Sequence, residues 1–508
     1  MRRTVFSDTI RSFGLVITSI FLLPLSLALT SFAILMRRWS SHTRKQQPVP
    51  LDPRHKRNIL VTGVGMAKGL TLARAFHLSG HNVTGADFEG NGILCSGKYS
   101  KSLCGFRPMN RPDSENATRS YIQQLLTIVR DNHIDLWVSC SGVASALEDA
   151  KAKELIERKT SCKCIQLGVQ DTATLHEKDQ FMSEAARLGL PVPVTHHLSS
   201  YDEAIDHLSH SQSAHPERKF ILKTVGMDDA NRGNMTVLPL DTMEKTKTYM
   251  SRLPITPENT WILQEFIPGG EEYCTHALIV RGQVKVFVAC PSAELLMHYE
   301  ALPPSSALSR AMLAFTREYV YRSESSEQFT GHLSFDFMVK DSVVDEKSFE
   351  RSIYAIECNP RAHTAVVLFA QEGPEMASMV QAYLSTLDVG HVSYAEVVKK
   401  NGLKEDEIVY PPNAPISRYW IGHDLFSLVV QPTFDWTSGQ ITLHELSRCF
   451  LQFINHALTW KEGTFETWDP LPALALYHVY WPLTILSAWW SGHQWSRVNV
   501  STTKMFAC

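Results

Sequence analysis

No Cys-x-x-Cys pair occurs in the sequence, and its ten cysteines are scattered from Cys95 to Cys508, with Cys162 and Cys164 the nearest two. That spacing excludes the common zinc and dithiol motifs and offers no disulfide framework, so a reduced compartment is the simpler setting. There is no basic excess either. A formal charge of −3 and a pI near 6.7 exclude a general nucleic-acid binder, which needs a domain-wide positive field. Low-complexity runs are absent. Between residues 58 and 170 there is no Tyr-x-x-x-Lys, the pair expected of a dinucleotide-dependent oxidoreductase or epimerase built on a glycine turn.

What is present starts with one long apolar run. Phe13 to Met36 carries no charge and is long enough to cross a bilayer as a helix, while Pro24 leaves a re-entrant or interfacial course open. Arg37, Arg38, Arg44, Lys45, Arg54, Lys56 and Arg57 crowd its C-terminal side, against Arg2, Arg3 and Arg11 before it. That asymmetry keeps the main body in the cytosol, anchored to a membrane. Four Asn-x-Ser/Thr sequons (Asn82, Asn116, Asn234, Asn499) would then stay unmodified. Residues 471–490, "LPALALYHVYWPLTILSAWW", are rich in Trp and Tyr; they suit either a second membrane contact or a helix packed on the body.

At 508 residues the chain has room for about three domains. Residues 37–56 are polar, basic and proline-bearing, a linker. From 57 to 87 a strand, a turn at Gly63 and Gly65, a helix-period segment and a second strand ending at Asp87 give a βαβ opening. Its glycines do not form a clean GxGxxG, though Asp87 stands near the spacing of a ribose ligand. Apolar strands are expected at 133–140 and 162–168, a helix through 172–190 with Lys178 inside it, and a strand at 218–225 with Lys223 embedded. A small polar loop with Arg232 follows at 226–236. A strand, a sharp turn at Pro268-Gly269-Gly270 and a strand fill 261–280, and strands at 331–340 and 353–361 close the unit.

The last of these, "YAIECNPRAH" (354–363), poses the chemical question. Residues two apart on a strand share a face, so Glu357, Asn359 and Arg361 can converge on one object. A carboxylate and an amide oxygen suit a hard divalent cation, and an arginine beside them suits phosphate. A strand running out into a solvated turn is the plain alternative. Asp336 between Phe335 and Phe337, and Lys223 in an apolar run, are further charges that need a partner.

Taken in order, these pieces resemble an ATP-grasp ligase. The resemblance implies an α/β and α+β architecture, with an ATP-grasp domain (169–390) behind an N-terminal Rossmann-like domain (57–168). A hydrophobic membrane segment (13–36) precedes them and a C-terminal region (391–508) follows. It implies ATP and Mg²⁺, with Mn²⁺ as the alternative ion. Lys178 and Lys223 would hold the phosphates. Gln264, Glu265, Phe266 and Ile267 would meet the adenine, and Glu272 the ribose, with Glu271 its rival. Asp336, Glu357 and Asn359 would be the metal ligands. Arg361, Lys223 and Arg232 would act on the transferred phosphoryl group. The stretches "FILKTVGMDDANR", "WILQEFIPGGEEYCTH", "TGHLSFDF" and "YAIECNPRAH" are similar, within that family, to mycosporine-glycine synthases. This implies small-molecule partners, a cyclohexenone and an amino acid. His276 and His363 would face the second substrate, and Lys68 would meet the amino acid's carboxylate unless it is a solvated lysine at a helix start. A carboxylate–amine ligase acting on another acid is the alternative within the family.

Overall fold

The computed structural model describes residues 5–39, 55–90, 92–142, 145–224, 236–292, 297–340, 353–388 and 408–507. Arg232 with its loop (225–235), most of the basic linker (40–54) and the insert 341–352 lie outside the described residues. A long helix, α1 (Val5–Trp39), comes first. Five parallel strands follow: β1 (Asn58–Thr62), β2 (Asn82–Phe88), β3 (Gly105–Met109), β4 (Leu136–Val138) and β5 (Lys163–Ile165), in the order β3-β2-β1-β4-β5. Central parallel strands are covered on both faces, which is why β1 reads as an unbroken apolar run. Leu60 and Trp137 face the core made with α3 (Glu115–Asp131) and α4 (Ala146–Lys159). Ile59, Val61 and Val138 face the opposite core, where α2 (Ala67–Leu78) packs.

The helix expected through 172–190 is two helices. α5 (Val169–His176) ends at Glu177, whose backbone is extended (φ −87°, ψ 122°), and α6 (Lys178–Arg187) starts there. Lys178 is therefore the first residue of a helix and stands at a corner of the chain. Next come β6 (Thr195–Leu198), α7 (Tyr201–Ala214), β7 (Lys219–Thr224), α8 (Met243–Met250) and β8 (Trp261–Phe266). The three strands form an antiparallel sheet with β8 in the middle, over a core of its own that includes Leu208, Phe220, Leu222 and Trp261.

After the turn come β9 (Glu271–Val280), β10 (Gln283–Pro291), β11 (His298–Tyr299), α9 (Ala307–Arg322), β12 (Gly331–Val339), β13 (Ile353–Asn359) and α10 (Pro374–Leu384). β10-β9-β12-β13 make an antiparallel sheet whose two faces are both buried. One face (Tyr273, Ala277, Leu333, Phe335, Phe337) packs on α6 and α9 through Phe181 and Phe315. The other (Cys274, Leu278) meets α2, α10 and residues 364–369. The parallel sheet unit thus sits against the second face.

The C-terminal region adds β14 (Arg418–Tyr419) and β15 (Lys461–Glu462) to β11. It also contributes a helix α11 (421–437) with a π-turn at Leu425–Val430, then α12 (Leu443–Thr459), α13 (Leu471–Trp490) and the hairpin β16 (Trp495–Asn499)–β17 (Lys504–Ala507). Buried polar groups tie it to the rest. Asp469 accepts from Arg74 Nε at 2.9 Å, Ser100 Oγ at 2.6 Å and the Lys101 backbone N–H at 2.8 Å. Asp424 places one oxygen 2.6 Å from His298 Nε2 and the other 2.7 Å from His456 Nδ1, clamping α12 to β11.

Candidate functional site

The charged group is set by a register change. Asp336 pairs with Glu357 and Ser334 with Asn359, but Phe337 pairs with Ala355, so Ile356 is a β-bulge. Ala355 packs in the apolar core with Phe337. In a regular strand Glu357, two residues on, would point into that same core. The extra residue reverses the alternation. Glu357 and Asn359 then stand on the opposite face with Asp336, whose neighbours Phe335 and Phe337 take the core side. The simple alternation expected for 357, 359 and 361 is corrected in one respect: β13 stops at Asn359. Arg361 lies in the turn beyond it, its N–H on the Asn359 carbonyl at 2.8 Å.

Asn359 Nδ2 donates to Asp336 Oδ2 at 3.2 Å, while Asp336 Oδ1 is shielded from solvent and has no hydrogen-bond partner. Such an orphaned carboxylate oxygen is costly unless something absent binds it. Burial, then the charges of Glu357 and Glu272, push the Asp336 carboxyl well above the usual range, while Arg361 and Lys178 oppose the shift. From the corner of α6, Lys178 Nζ lies 2.9 Å from Glu357 Oε2. From β7, Lys223 Nζ donates to Gln264 Oε1 at 2.7 Å. Glu272 carries a carboxyl raised by burial and by Glu357, and lowered by Ser292 and the charges of Lys223 and Lys178. Lys178, Lys223, Glu272, Asp336, Glu357 and Arg361 therefore form one electrostatic group.

The rival glutamates divide by face. Glu271 accepts from the Tyr273 hydroxyl on the core side of β9, whereas Glu272 accepts from Ser292 Oγ at 3.1 Å on the side of Cys274, which pairs with Asp336. Gln264 and Glu265 are engaged inside the small sheet. Gln264 pairs with both Thr195 and Ile221, and Glu265 bonds Val194 through its own N–H (2.7 Å) and through Oε2 (3.2 Å), with Arg218 Nε 3.3 Å from Oε1. Phe266 and Ile267 extend past the end of β6 and lead into the turn.

Behind this group the expectations about the interior change. Lys68 is buried, 3% exposed, and donates to the Ala362 carbonyl at 2.9 Å and the Ser141 carbonyl at 3.4 Å, so it is no solvated lysine. Burial, then Arg361, bring its pKa down to about 7. Folding thus releases its proton between about 7 and the ordinary lysine value, so stability gains with rising pH across that window. Lys68→Met is expected to flatten that rise, as read from denaturant unfolding at a series of pH values; an unchanged slope would refute the assignment. His363 accepts the Ala365 N–H on Nδ1 at 3.2 Å and caps residues 364–369, and its backbone N–H donates to His276 Nδ1 at 3.2 Å. His276 is pushed down to about 3 by burial and stays neutral, its Nε2 without a partner.

The glycine turn is closed by the chain's own groups. Asp87 Oδ2 accepts from the Gly65 N–H at 2.6 Å and Oδ1 from the Phe88 N–H at 2.7 Å, so its carboxylate closes the turn. A Cβ at Gly97 would sit 2.0 Å from the Val64 carbonyl oxygen, so the chain itself fills the space over the turn. Reading the sequence missed Ser334, buried with no partner for its hydroxyl. The period-two run His332, Ser334, Asp336 in an apolar strand is the signal that marks it. A second set able to ligate a metal, His298, Asp424 and His456, has its ligand atoms within 4.8 Å of one another, but there each imidazole already meets a carboxylate oxygen.

No protein-family model matches the chain, and no curated protein matches it in sequence. Solved structures do show similarity. The L-amino acid ligase from Bacillus licheniformis is 14% identical with a TM-score of 0.43, over 67% of this chain and 76% of that one. The N5-carboxyaminoimidazole synthetase from Staphylococcus aureus is 14% identical with a TM-score of 0.44, over 66% and 79%. The biotin carboxylase domain of Hydrogenobacter thermophilus 2-oxoglutarate carboxylase, solved with MgADP, ADP and bicarbonate, is 11% identical with a TM-score of 0.45, over 66% and 71%. At these values the similarity assigns no residue and no reaction to this chain.

Proposed function

We propose that the protein is an ATP-dependent carbon–nitrogen ligase of the ATP-grasp type. In this reading it phosphorylates the enol oxygen of a cyclohexenone resembling 4-deoxygadusol and condenses the product with an amino acid, glycine first. The observation that carries the reading is the convergence of Lys178, Lys223, Glu272, Asp336, Glu357 and Arg361, with one Asp336 oxygen left unpaired. Asp336, Glu357 and Asn359 offer the hard oxygen donors that Mg²⁺ takes. When bound, that ion would supply the charge neutralisation that phosphoryl transfer needs.

The chain's own residues do the rest. Lys178 would leave Glu357, which then serves the metal, and turn to the phosphates beside Lys223. Glu272 would accept from the ribose hydroxyls. Arg361, in the turn after β13, would stabilise the transferred phosphoryl group. A 1,3-dicarbonyl enol is a vinylogous acid. Transfer of the γ-phosphoryl to its oxygen gives ADP and an enol phosphate; the amine adds at that carbon, the C–O bond breaks, and phosphate leaves an enaminone. An ATP-grasp carboxylate–amine ligase using another acid is the alternative within the same chemistry. We place the body on the cytosolic side of a membrane held by α1, because the basic residues after Met36 outnumber those before Phe13.

The test supplies ATP, Mg²⁺ and 4-deoxygadusol with each amino acid separately. ADP and phosphate should appear only when both acceptor and amine are present, with a red-shifted enaminone absorbance. AMP and pyrophosphate would overturn the mechanism; product with another acid only would replace the substrate. Glu357→Gln should lower turnover by roughly 10²–10³-fold without unfolding the protein.

A further inference from the structure

The two apolar segments are fastened to the body in a way that bears on how they meet a membrane. α1 and α13 run antiparallel: Phe13 and Trp489 have ring centroids 5.0 Å apart, Ser19 Oγ donates to the Tyr477 carbonyl at 2.9 Å, and His478 Nε2 lies 2.7 Å from Ser26 Oγ. α13 is held at its start and midway along its length. It follows directly on Asp469, which is bonded to Arg74, and its Tyr480 hydroxyl donates to the Thr503 carbonyl at 3.2 Å. Past its far end, Trp495 packs with Val16 and Ile485, and the Ser501 carbonyl accepts from the Ala67 N–H at 2.9 Å. From Trp495 to Ser501 is six residues, a reach of at most about 20 Å. A bilayer core is about 30 Å thick. The end of α1 at Val16, the far end from the basic flank, is therefore tied close to Ala67 on the body. Arg497, exposed two residues after Trp495, would have to lie within or beyond the hydrocarbon if α1 crossed.

The exposed apolar surface follows the same layout. Among the described residues, large hydrophobic side chains are exposed at ten positions of α1 and at ten between Ile421 and Trp490, against Tyr99, Tyr321 and Ile416 elsewhere. α12 has three stripes at helical spacing. Leu446, Phe450, Phe453 and His456 turn to the body; Arg448, Gln452 and Asn455 make a polar exposed stripe; Leu443, Leu451, Ile454 and Leu458 make an exposed apolar one. A helix of a water-facing domain needs only the first two. The segments that carry these patches touch one another: Tyr477, bonded to α1, presses on Gly422 at the start of α11, where a Cβ would meet its ring at 2.6 Å. Trp436 on α11 and Trp489 and Trp490 at the tip of α13 are exposed, and the basic residues after Met36 suit an anionic leaflet.

We infer that this is a monotopic protein: α1, the tip of α13 and the apolar stripe of α12 enter one leaflet from the cytosolic side, and no segment crosses. The inference rests on the membrane attachment proposed above, and the two can fail separately. The full chain, tagged at its N-terminus, is recovered in sealed membranes with the body outward and treated with protease. Loss of the tag together with the body is expected; a protected tag beside a digested body means a crossing α1 and overturns the inference. Flotation of the detergent-purified protein with phosphatidylcholine–phosphatidylserine vesicles tests the attachment itself, and a protein that sediments free of vesicles removes both readings. Leu451→Glu with Leu458→Glu should weaken vesicle binding about ten-fold or more, with ATP-dependent turnover in detergent unchanged. Undiminished binding would overturn the role of α12.

Discussion

Asp336→Asn is expected to abolish most turnover, by roughly 10²–10³-fold, and at the same time to raise the melting temperature of the ligand-free protein. Both effects come from one carboxylate. With no cation at hand, Asp336 lies shielded beside Glu357 and Glu272, and its carboxyl is held well above the usual range. The folded state keeps a proton there that the unfolded chain has already lost. Stability of the ligand-free protein therefore falls as pH rises from the ordinary aspartate value through the raised one. An amide has no charge to desolvate, so the variant should escape that decline, and its advantage should grow with pH across the window. Mg²⁺ with ATP should stabilise the parent protein, increasingly as pH rises across that window, because binding displaces the proton. The variant should show little of that gain. Thermal unfolding over a pH series, with and without Mg-ATP, makes the measurement. Full turnover in Asp336→Asn, or a lower melting temperature, would falsify the assignment.

Asp469→Ala should cost about 3–5 kcal/mol of folding stability, the largest loss expected from a single side chain outside the proposed site. Asp469 and Arg74 are both buried, and the aspartate accepts from Arg74, Ser100 and the Lys101 N–H. Arg74 also donates to the Thr464 and Asp469 carbonyls, each at 2.9 Å. Truncating the carboxylate leaves the guanidinium shielded with its charge uncompensated, which costs more than the pair itself contributes. Adding Arg74→Met should therefore recover part of the loss, a non-additivity that a double-mutant cycle measures. Denaturant unfolding with a loss under about 1 kcal/mol in the single variant would show that the pair is not what joins the C-terminal region to the parallel sheet.

Much of the fold was legible because strands carry their environment in their composition. The apolar runs at 218–225, 261–280 and 331–340 correspond to β7, β8 with β9, and β12. The charges embedded in them, Lys223 and Asp336, are conspicuous for the same reason. What stayed hidden depends on partners distant in sequence. Lys68 looks like an ordinary helix-start lysine until Ser141 and Ala362, 73 and 294 residues away, supply its acceptors. Asp87 matches a ribose ligand in spacing, yet Gly65 takes its carboxylate. The break at Glu177 has no proline or glycine to mark it, and α5 and α6 each pack on β13, a strand far along the sequence. α1 reads as a span by length and hydropathy, measures that know nothing of Ser501 on Ala67 or Trp495 on Val16.

The bulge at Ile356 has a consequence for how such a site is gained or lost. Three ligand-type residues lie after it on β13 and beyond, and their orientation depends on one extra position, not on their identity. Drawing Ile356 into the ladder without removing it would leave every one of those residues in the gene, yet send Glu357 into the apolar interior and bring Cys358 out in its place. Deleting Ile356 would instead set Glu357 one position after Ala355, on the face it already occupies. The chemistry can thus be silenced, or gained, through the pairing register of this one strand, a change that no tally of retained residues would detect.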